Sequence, residues 1–213
     1  MSARDDRDYP GGLASQADTP ARLVHRRPVV PVDRLVAQLV PPPRFADVRF
    51  ATFQPDPTQP TQHAALQAVE RFAVQLNERP VRPAAHRRGW FGRARRASTR
   101  SGPAGIYLDG GFGVGKTHLL ASTWHAAPAP KAFTTFVELT HLVGALGFAH
   151  TVQALADHRL VAIDEFELDD PGDTVLVSTL LARLVEAGVH LAATSNTLPE
   201  ALGEGRFAAA DFQ

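Results

Sequence analysis

Cysteine is absent from the 213 residues, which excludes disulfides, thiolate nucleophiles and cysteine-ligated zinc or iron–sulfur centres. The nine histidines never fall in an H-E-x-x-H or comparable ligand spacing, so a histidine-built metal site is not expected either. No apolar run approaches the roughly 18 residues of a membrane span, and the opening Met1 to Arg7 lacks the apolar stretch of a signal peptide. A cytoplasmic location is therefore expected. Apolar residues make up 44% and charged residues 21% of the chain, ordinary usage for a sequence that buries a core.

Net charge is also lacking, but the zero conceals a division. Residues 1–100 carry 17 Lys and Arg against 9 Asp and Glu, and residues 101–213 carry 5 against 13. Two differently employed regions are implied. Residues 1–44, rich in Pro and Arg and including Pro41-Pro42-Pro43, are expected to be flexible. Residues 45–100 form an extended and helical segment. Phe45, Val48, Phe50 and Phe53 are placed to dock on a core, and Leu66, Val69, Phe72, Ala73 and Leu76 recur at helical spacing between a Thr61 cap and Pro80. Within this segment, residues 86–100 are a basic insertion with Arg87, Arg88, Arg93, Arg95, Arg96 and Arg100 around Trp90 and Phe91. It suits either a solvated loop or a grip on the phosphates of nucleic acid or anionic lipid, or on an acidic partner. No nucleic-acid-binding fold signature accompanies it.

Residues 101–213 hold the chemistry. Gly110-Gly111-Phe112-Gly113-Val114-Gly115-Lys116-Thr117 fits G-x-x-x-x-G-K-[ST], a loop whose backbone N–H groups wrap the phosphates of a nucleoside triphosphate. It follows the apolar run Ala104 to Leu108, suited to a buried strand, and precedes a helix-prone stretch whose positive N-terminal end faces the same charge. Lys116 is expected to reach the β- and γ-phosphates, and Thr117 to offer a hydroxyl to Mg²⁺. Such a metal needs a carboxylate and an attacking water needs a partner. Leu160-Val161-Ala162-Ile163 is a continuous apolar run that delivers Asp164 and Glu165 at its end. Asp164 reads as the metal-side carboxylate and Glu165 as the residue that polarises water, a pairing that favours hydrolysis over transfer to a hydroxyl acceptor. The competing reading makes them the first acids of a polar loop that continues through Glu167, Asp169, Asp170 and Asp173. Val189 to Ser195 is a further strand-like run ending at Asn196, whose amide can hold the water or a terminal phosphate oxygen without adding charge.

Strands are expected at 104–109, 133–138, 160–164 and 189–195, with helices at 117–125, near 140–147 and 151–158, and at 174–187. That last helix carries a stripe of Val177, Leu180, Leu181 and Leu184, with Asp173 as its cap and Gly188 past its end. The alternation argues for an α/β, three-layer P-loop NTPase sandwich around a mainly parallel sheet.

Three segments together carry a family resemblance: Gly110 to Leu120 (Gly-Gly-Phe-Gly-Val-Gly-Lys-Thr-His-Leu-Leu), Ile163-Asp-Glu-Phe-Glu-Leu-Asp-Asp170, and Ala193-Thr-Ser-Asn196. Over residues 45–212 the chain resembles the ZapE-like cell-division ATPases, AAA+-type proteins with mitochondrial relatives. The resemblance implies ATP rather than GTP, for which no Asn-Lys-x-Asp guanine-reading motif is present. It also implies Mg²⁺, an AAA+-like core, and a partner such as the division-ring protein FtsZ or a membrane-associated protein. Nucleotide contacts extend from Gly110 through His118, and Arg206 stands where such families place an arginine finger that reaches a neighbouring subunit, which would require a nucleotide-dependent homo-oligomer. Relatives of this kind continue past the Asn into a fifth core strand and a helical lid, so the core is expected to be C-terminally incomplete, with residues 104–109 left at a sheet edge. Two other readings stay open: a DNA-replication initiator or helicase-loader ATPase, and a nucleotide-binding module without turnover.

Overall fold

A computed structural model describes residues 31–78, 104–167 and 171–199, with the side chains of 171–174 outside that description. The basic insertion 86–100, Asp169, Asp170, the Asp173 cap and Arg206 fall outside it as well. Of the segment 1–44, the described part begins at Pro31 and forms helix α1 (Val32–Ala37). It leads to Leu39, which is buried and accepts a hydrogen bond from Phe133 N–H at 2.8 Å.

Among the described residues four five- or six-residue strands form one parallel sheet: β1 (Gly105–Asp109), β2 (Lys131–Thr135), β3 (Leu160–Asp164) and β4 (His190–Ser195), in the order β1-β4-β3-β2. Among the described residues β1 lies at one edge. Six α-helices among the described residues flank the strands: α1, α2 (Pro60–Glu78), α3 (Lys116–Ala126), α4 (Phe136–Leu146), α5 (Phe148–Leu155) and α6 (Pro171–Ala187). Side chains alternate faces along a strand, and the core follows that period. Leu160, Ala162 and Ala192 pack with Phe72 and Leu76 of α2 and Leu120 and Ala121 of α3, while Val161 and Ile163 pack with Leu139, Leu155, Val177, Leu180 and Leu184 on the other side. The fold is the expected α/β P-loop NTPase sandwich, and continuous apolar strands are what a sheet covered on both faces requires.

Several element boundaries differ from expectation for identifiable reasons. The strand expected at 133–138 ends at Thr135, because Thr135 and Glu138 form a capping box: Thr135 Oγ1 accepts from Glu138 N–H at 3.1 Å, and Glu138 Oε2 accepts from Thr135 N–H at 2.8 Å. Helix α4 therefore starts at Phe136. The two helices expected near 140–147 and 151–158 divide at Gly147 and end at Leu155. Helix α2 begins at Pro60 rather than after a Thr61 cap, since proline suits a first helical position, where its missing N–H costs nothing. Its buried face is Val69, Phe72, Ala73 and Leu76, while Leu66 is half-buried against Val69 and Leu119. Helix α6 starts three residues early and closes as expected at Gly188, where Gly188 N–H bonds Val185 O and Val189 N–H bonds Leu184 O, both at 3.0 Å, in a Schellman motif. Residues 50–52 form a 3₁₀ turn within the stretch expected to be extended, and Phe45, Val48, Phe50 and Phe53 do pack against the core.

One close approach fixes the β1–β4 pairing. A Cβ at Gly105 would lie 2.5 Å from Leu191 O, a backbone atom that can move only with its strand. Gly105→Ala is expected to destabilise the protein by about 1–3 kcal/mol, as overpacking does. A melting temperature unchanged from wild type would show that the strand start simply shifts aside.

Candidate active site

The strand period that builds the core also builds the site. Continuing the face that carries Leu160 and Ala162, the next alternate residue of β3 is Asp164; continuing His190 and Ala192, the next of β4 is Thr194. Both therefore point toward α3. Asp164 is only 5% exposed, and its Oδ1 accepts from Thr194 Oγ1 at 2.6 Å and from Thr117 Oγ1 at 3.0 Å. A buried carboxylate is thus hydrogen-bonded by two hydroxyls, and the Lys116 ammonium is near enough to interact with it through charge.

The loop between β1 and α3 ends in Gly115, whose φ of 92° and ψ of 18° lie in the left-handed region. No side chain caps α3, so the N–H groups of its first turn are left for an anion. Lys116 is the first helical residue, and its Nζ turns back over the loop, donating to Gly110 O at 2.6 Å, Gly111 O at 2.7 Å and Asn196 Oδ1 at 3.0 Å. Three acceptors match its three protons. Partial burial lowers the Lys116 pKa from the ordinary lysine value, while Asp164, Glu167 and Asp109 act to raise it. Phe112, at the loop tip, is 88% exposed.

Glu165 leaves the sheet by a different device. Its φ of 53° is the one positive value at a non-glycine among the described residues, a conformation that costs about 1–3 kcal/mol and persists only when its neighbours hold it. They do so through Thr194: Glu165 N–H donates to Thr194 Oγ1 at 3.1 Å, and Phe166 N–H to Thr194 O at 2.7 Å. The turn exposes the Glu165 side chain and returns Phe166 to the core, edge-on to Phe136 with ring centroids 5.3 Å apart.

A strap from the N-terminal segment completes the surroundings. His118 Nε2 lies 3.0 Å from Thr52 Oγ1 and 3.2 Å from Arg49 O, and the Phe53 ring meets the His118 ring edge-on at 5.4 Å. That same ring lies directly against Gly115, where a Cβ would come within 2.5 Å of Phe53 Cε2.

Lys116, Thr117, Asp164 and Asn196 are therefore brought together around the loop, with Glu165 at the strand end beside them. The role of Thr194 and the strap by Phe53 were not anticipated. Thr194 was visible as the first of three polar residues closing an apolar run and as part of the Ala193-Thr-Ser-Asn196 segment, but its contacts depend on the β3–β4 register, which pairs Ala162 with Ala192 and Ile163 with Ala193. For a divalent cation the donor set is hard and sparse: one carboxylate and one hydroxyl. Among the described residues no group of three or more His, Cys, Asp or Glu could hold a metal. Such a pair suits Mg²⁺, which retains waters and shares phosphate oxygens, rather than a metal needing a full protein cage.

Comparison with known proteins bears on the fold and the family. Cell division protein ZapE of Escherichia coli (strain K12) is 28% identical over 166 residues, covering 70% of this chain and 43% of ZapE. The chain thus spans under half the length of that relative. Among solved structures, domain III of the Thermotoga maritima replication initiation protein DnaA superposes with a TM-score of 0.52 at 18% identity, covering 81% of this chain and 65% of that one. AMPPCP-bound DnaA from Aquifex aeolicus gives 0.54 at 11% identity, covering 77% and 46%. At these identities the likeness to the replication proteins is one of fold. The AFG1-like ATPase family matches residues 29–213, and over that span, nearly the whole sequence, the protein belongs to it.

Proposed function

We propose that the chain binds ATP with Mg²⁺ and hydrolyses it, and that it uses this cycle on a cell-division or membrane-associated protein in the cytoplasm. The observation that carries the reading is the convergence on one loop of Lys116, Thr117 and Asn196 with the buried Asp164. In this reading the phosphates displace Gly110 O and Gly111 O from Lys116, and the loop N–H groups and the α3 N-terminus take up the remaining charge. Thr117 and Asp164 would hold Mg²⁺, which when bound neutralises charge on the phosphate oxygens. Glu165, exposed beside Asp164, would accept a proton from the attacking water. The partner part of the proposal rests on family membership and on the ZapE relative's name as a cell division protein; the division-ring protein FtsZ is the first candidate. A finger role for Arg206 belongs to the same proposal and requires a homo-oligomer.

The test is phosphate release from ATP by this chain, with Mg²⁺ and with a chelator, at several protein concentrations, beside Lys116→Ala. Turnover is expected to need Mg²⁺ and to fall about a hundredfold or more in the variant, because a charge-assisted contact to the transferred phosphate is lost. A rate per subunit that rises with concentration would support shared sites. ATP binding without turnover would leave a nucleotide-dependent binding module instead.

A further inference from the structure

The acidic stretch after β3 contains one residue with a different task from its neighbours. Glu167 reaches across to the turn that follows β4. Its Oε1 accepts from Asn196 N–H at 3.0 Å, from Asn196 Nδ2 at 3.3 Å and from Ser195 Oγ at 3.3 Å, and its Oε2 accepts from Thr197 Oγ1 at 3.1 Å. The turn is further tied by Thr197 N–H donating to Ser195 Oγ at 2.9 Å and by Tyr107 Oη donating to Thr197 O at 2.7 Å. One carboxylate thus gathers four donors from three successive residues.

The consequence lies in the Asn196 amide. A carboxylate only accepts and an ammonium only donates, whereas an amide has one end of each kind. With Glu167 at one end and Lys116 Nζ 3.0 Å from the other, the side chain has a single satisfactory orientation: NH₂ toward Glu167, oxygen toward the phosphate loop. Reversing it would set an amide oxygen against a carboxylate and an NH₂ against an ammonium. An oxygen facing the loop can receive a hydrogen bond from water or from Lys116, but it cannot donate one to a phosphate oxygen.

We propose that Glu167 is a positioning residue that fixes the polarity of the Asn196 amide, so that Asn196 serves the phosphate site as an acceptor, for Lys116 or the attacking water, and not as a donor to the terminal phosphate. The proposal rests on the ATPase reading above and narrows it: of the two tasks open to Asn196, holding water or holding a terminal oxygen, it selects the first. Polar contacts spread over both ends of one amide are coupled, so the two residues should behave as a unit rather than additively.

Two measurements test it. The first needs no nucleotide: the Asn196 side-chain amide is identified in ¹⁵N-labelled protein by its loss in Asn196→Ala, and its chemical shift and hydrogen exchange are followed in Glu167→Gln and Glu167→Ala. A shifted, faster-exchanging amide is expected, most strongly in Glu167→Ala; an amide that does not respond overturns the tether. Glu167→Gln keeps an acceptor and the side-chain volume, so it decides the matter if Glu167→Ala fails to fold. The second compares ATP and ADP affinity with turnover. Asn196→Ala is expected to lower kcat about tenfold while the ratio of ATP to ADP affinity stays within about twofold, and Glu167→Ala is expected to add no further loss in the Asn196→Ala background. A selective loss of ATP affinity of about fivefold or more, or additive losses of kcat, overturns the proposal. If the wild type binds ATP without turnover the hydrolysis reading falls, yet the affinity ratio still decides the role of Asn196. If it binds no nucleotide, the ATPase reading falls, and a phosphate-site role for Asn196 is overturned with it.

Discussion

Glu165→Gln is expected to slow ATP turnover by about 10²–10⁴, the range for removing a general base, with ATP affinity held within about threefold. The two acids at the end of β3 occupy opposite environments. Asp164 is buried and already engaged by Thr117 and Thr194, which suits a fixed metal-side ligand. Glu165 is exposed on a backbone turned to a φ of 53°, which suits a group that must meet water. Glutamine keeps the length of the side chain and leaves the Glu165 N–H bond to Thr194 in place, but it cannot take a proton. Phosphate release measured beside equilibrium ATP binding checks this directly. Turnover within tenfold of wild type would remove Glu165 from the proton transfer and leave its unusual backbone as a device for returning Phe166 to the core.

Gly115→Ala is expected to weaken ATP binding by roughly a hundredfold, corresponding to about 3 kcal/mol. Two penalties combine. A left-handed conformation costs an alanine about 1–2 kcal/mol, and the new Cβ would sit 2.5 Å from Phe53 Cε2, an overlap that must be relieved by moving the ring or the loop. Phe53 also packs on His118, which resists movement of the ring, and any displacement of the loop falls on the groups that would cradle phosphate. Adding Phe53→Ala should recover part of the affinity, since it removes the overlap and leaves the backbone penalty. Calorimetric titration of the single and double variants separates the two. No recovery would mean that the strap is indifferent to loop geometry, and undiminished binding by Gly115→Ala would mean that the observed loop conformation is not the one that holds nucleotide.

The parts of the site visible in the amino-acid order are those whose chemistry is local. Gly110 to Thr117 is a contiguous loop between an apolar strand and a helix, and Asp164 closes an apolar run long enough to be covered on both faces, so their positions follow from period and composition. Glu167 was visible only as one of several neighbouring acids. Its distinction is that three residues of a turn roughly thirty positions later converge on it, which no local pattern encodes. Thr194 is similar, since its hydroxyl acquires meaning only once β3 and β4 are in register. The misplaced start of α4 is of another kind. Thr135-x-x-Glu138 before an apolar run is a readable capping box, but the β-branched and aromatic residues around it favoured extending the strand.

The sheet order also sets a schedule for the growing chain. β1 emerges first from the ribosome of the four strands, yet its partner among the described residues is β4, the last of them to be synthesised, with residues 105–109 pairing residues 191–195. β2 and β3 can pair as soon as each is made, because a single crossover joins them, whereas the strand leading into the phosphate loop must wait for some eighty further residues. Contacts so distant along the chain form slowly and late. The loop that would bind nucleotide therefore takes its final position at the close of the described core's synthesis, and a nascent chain stopped after β3 would lack the strand against which β1 pairs.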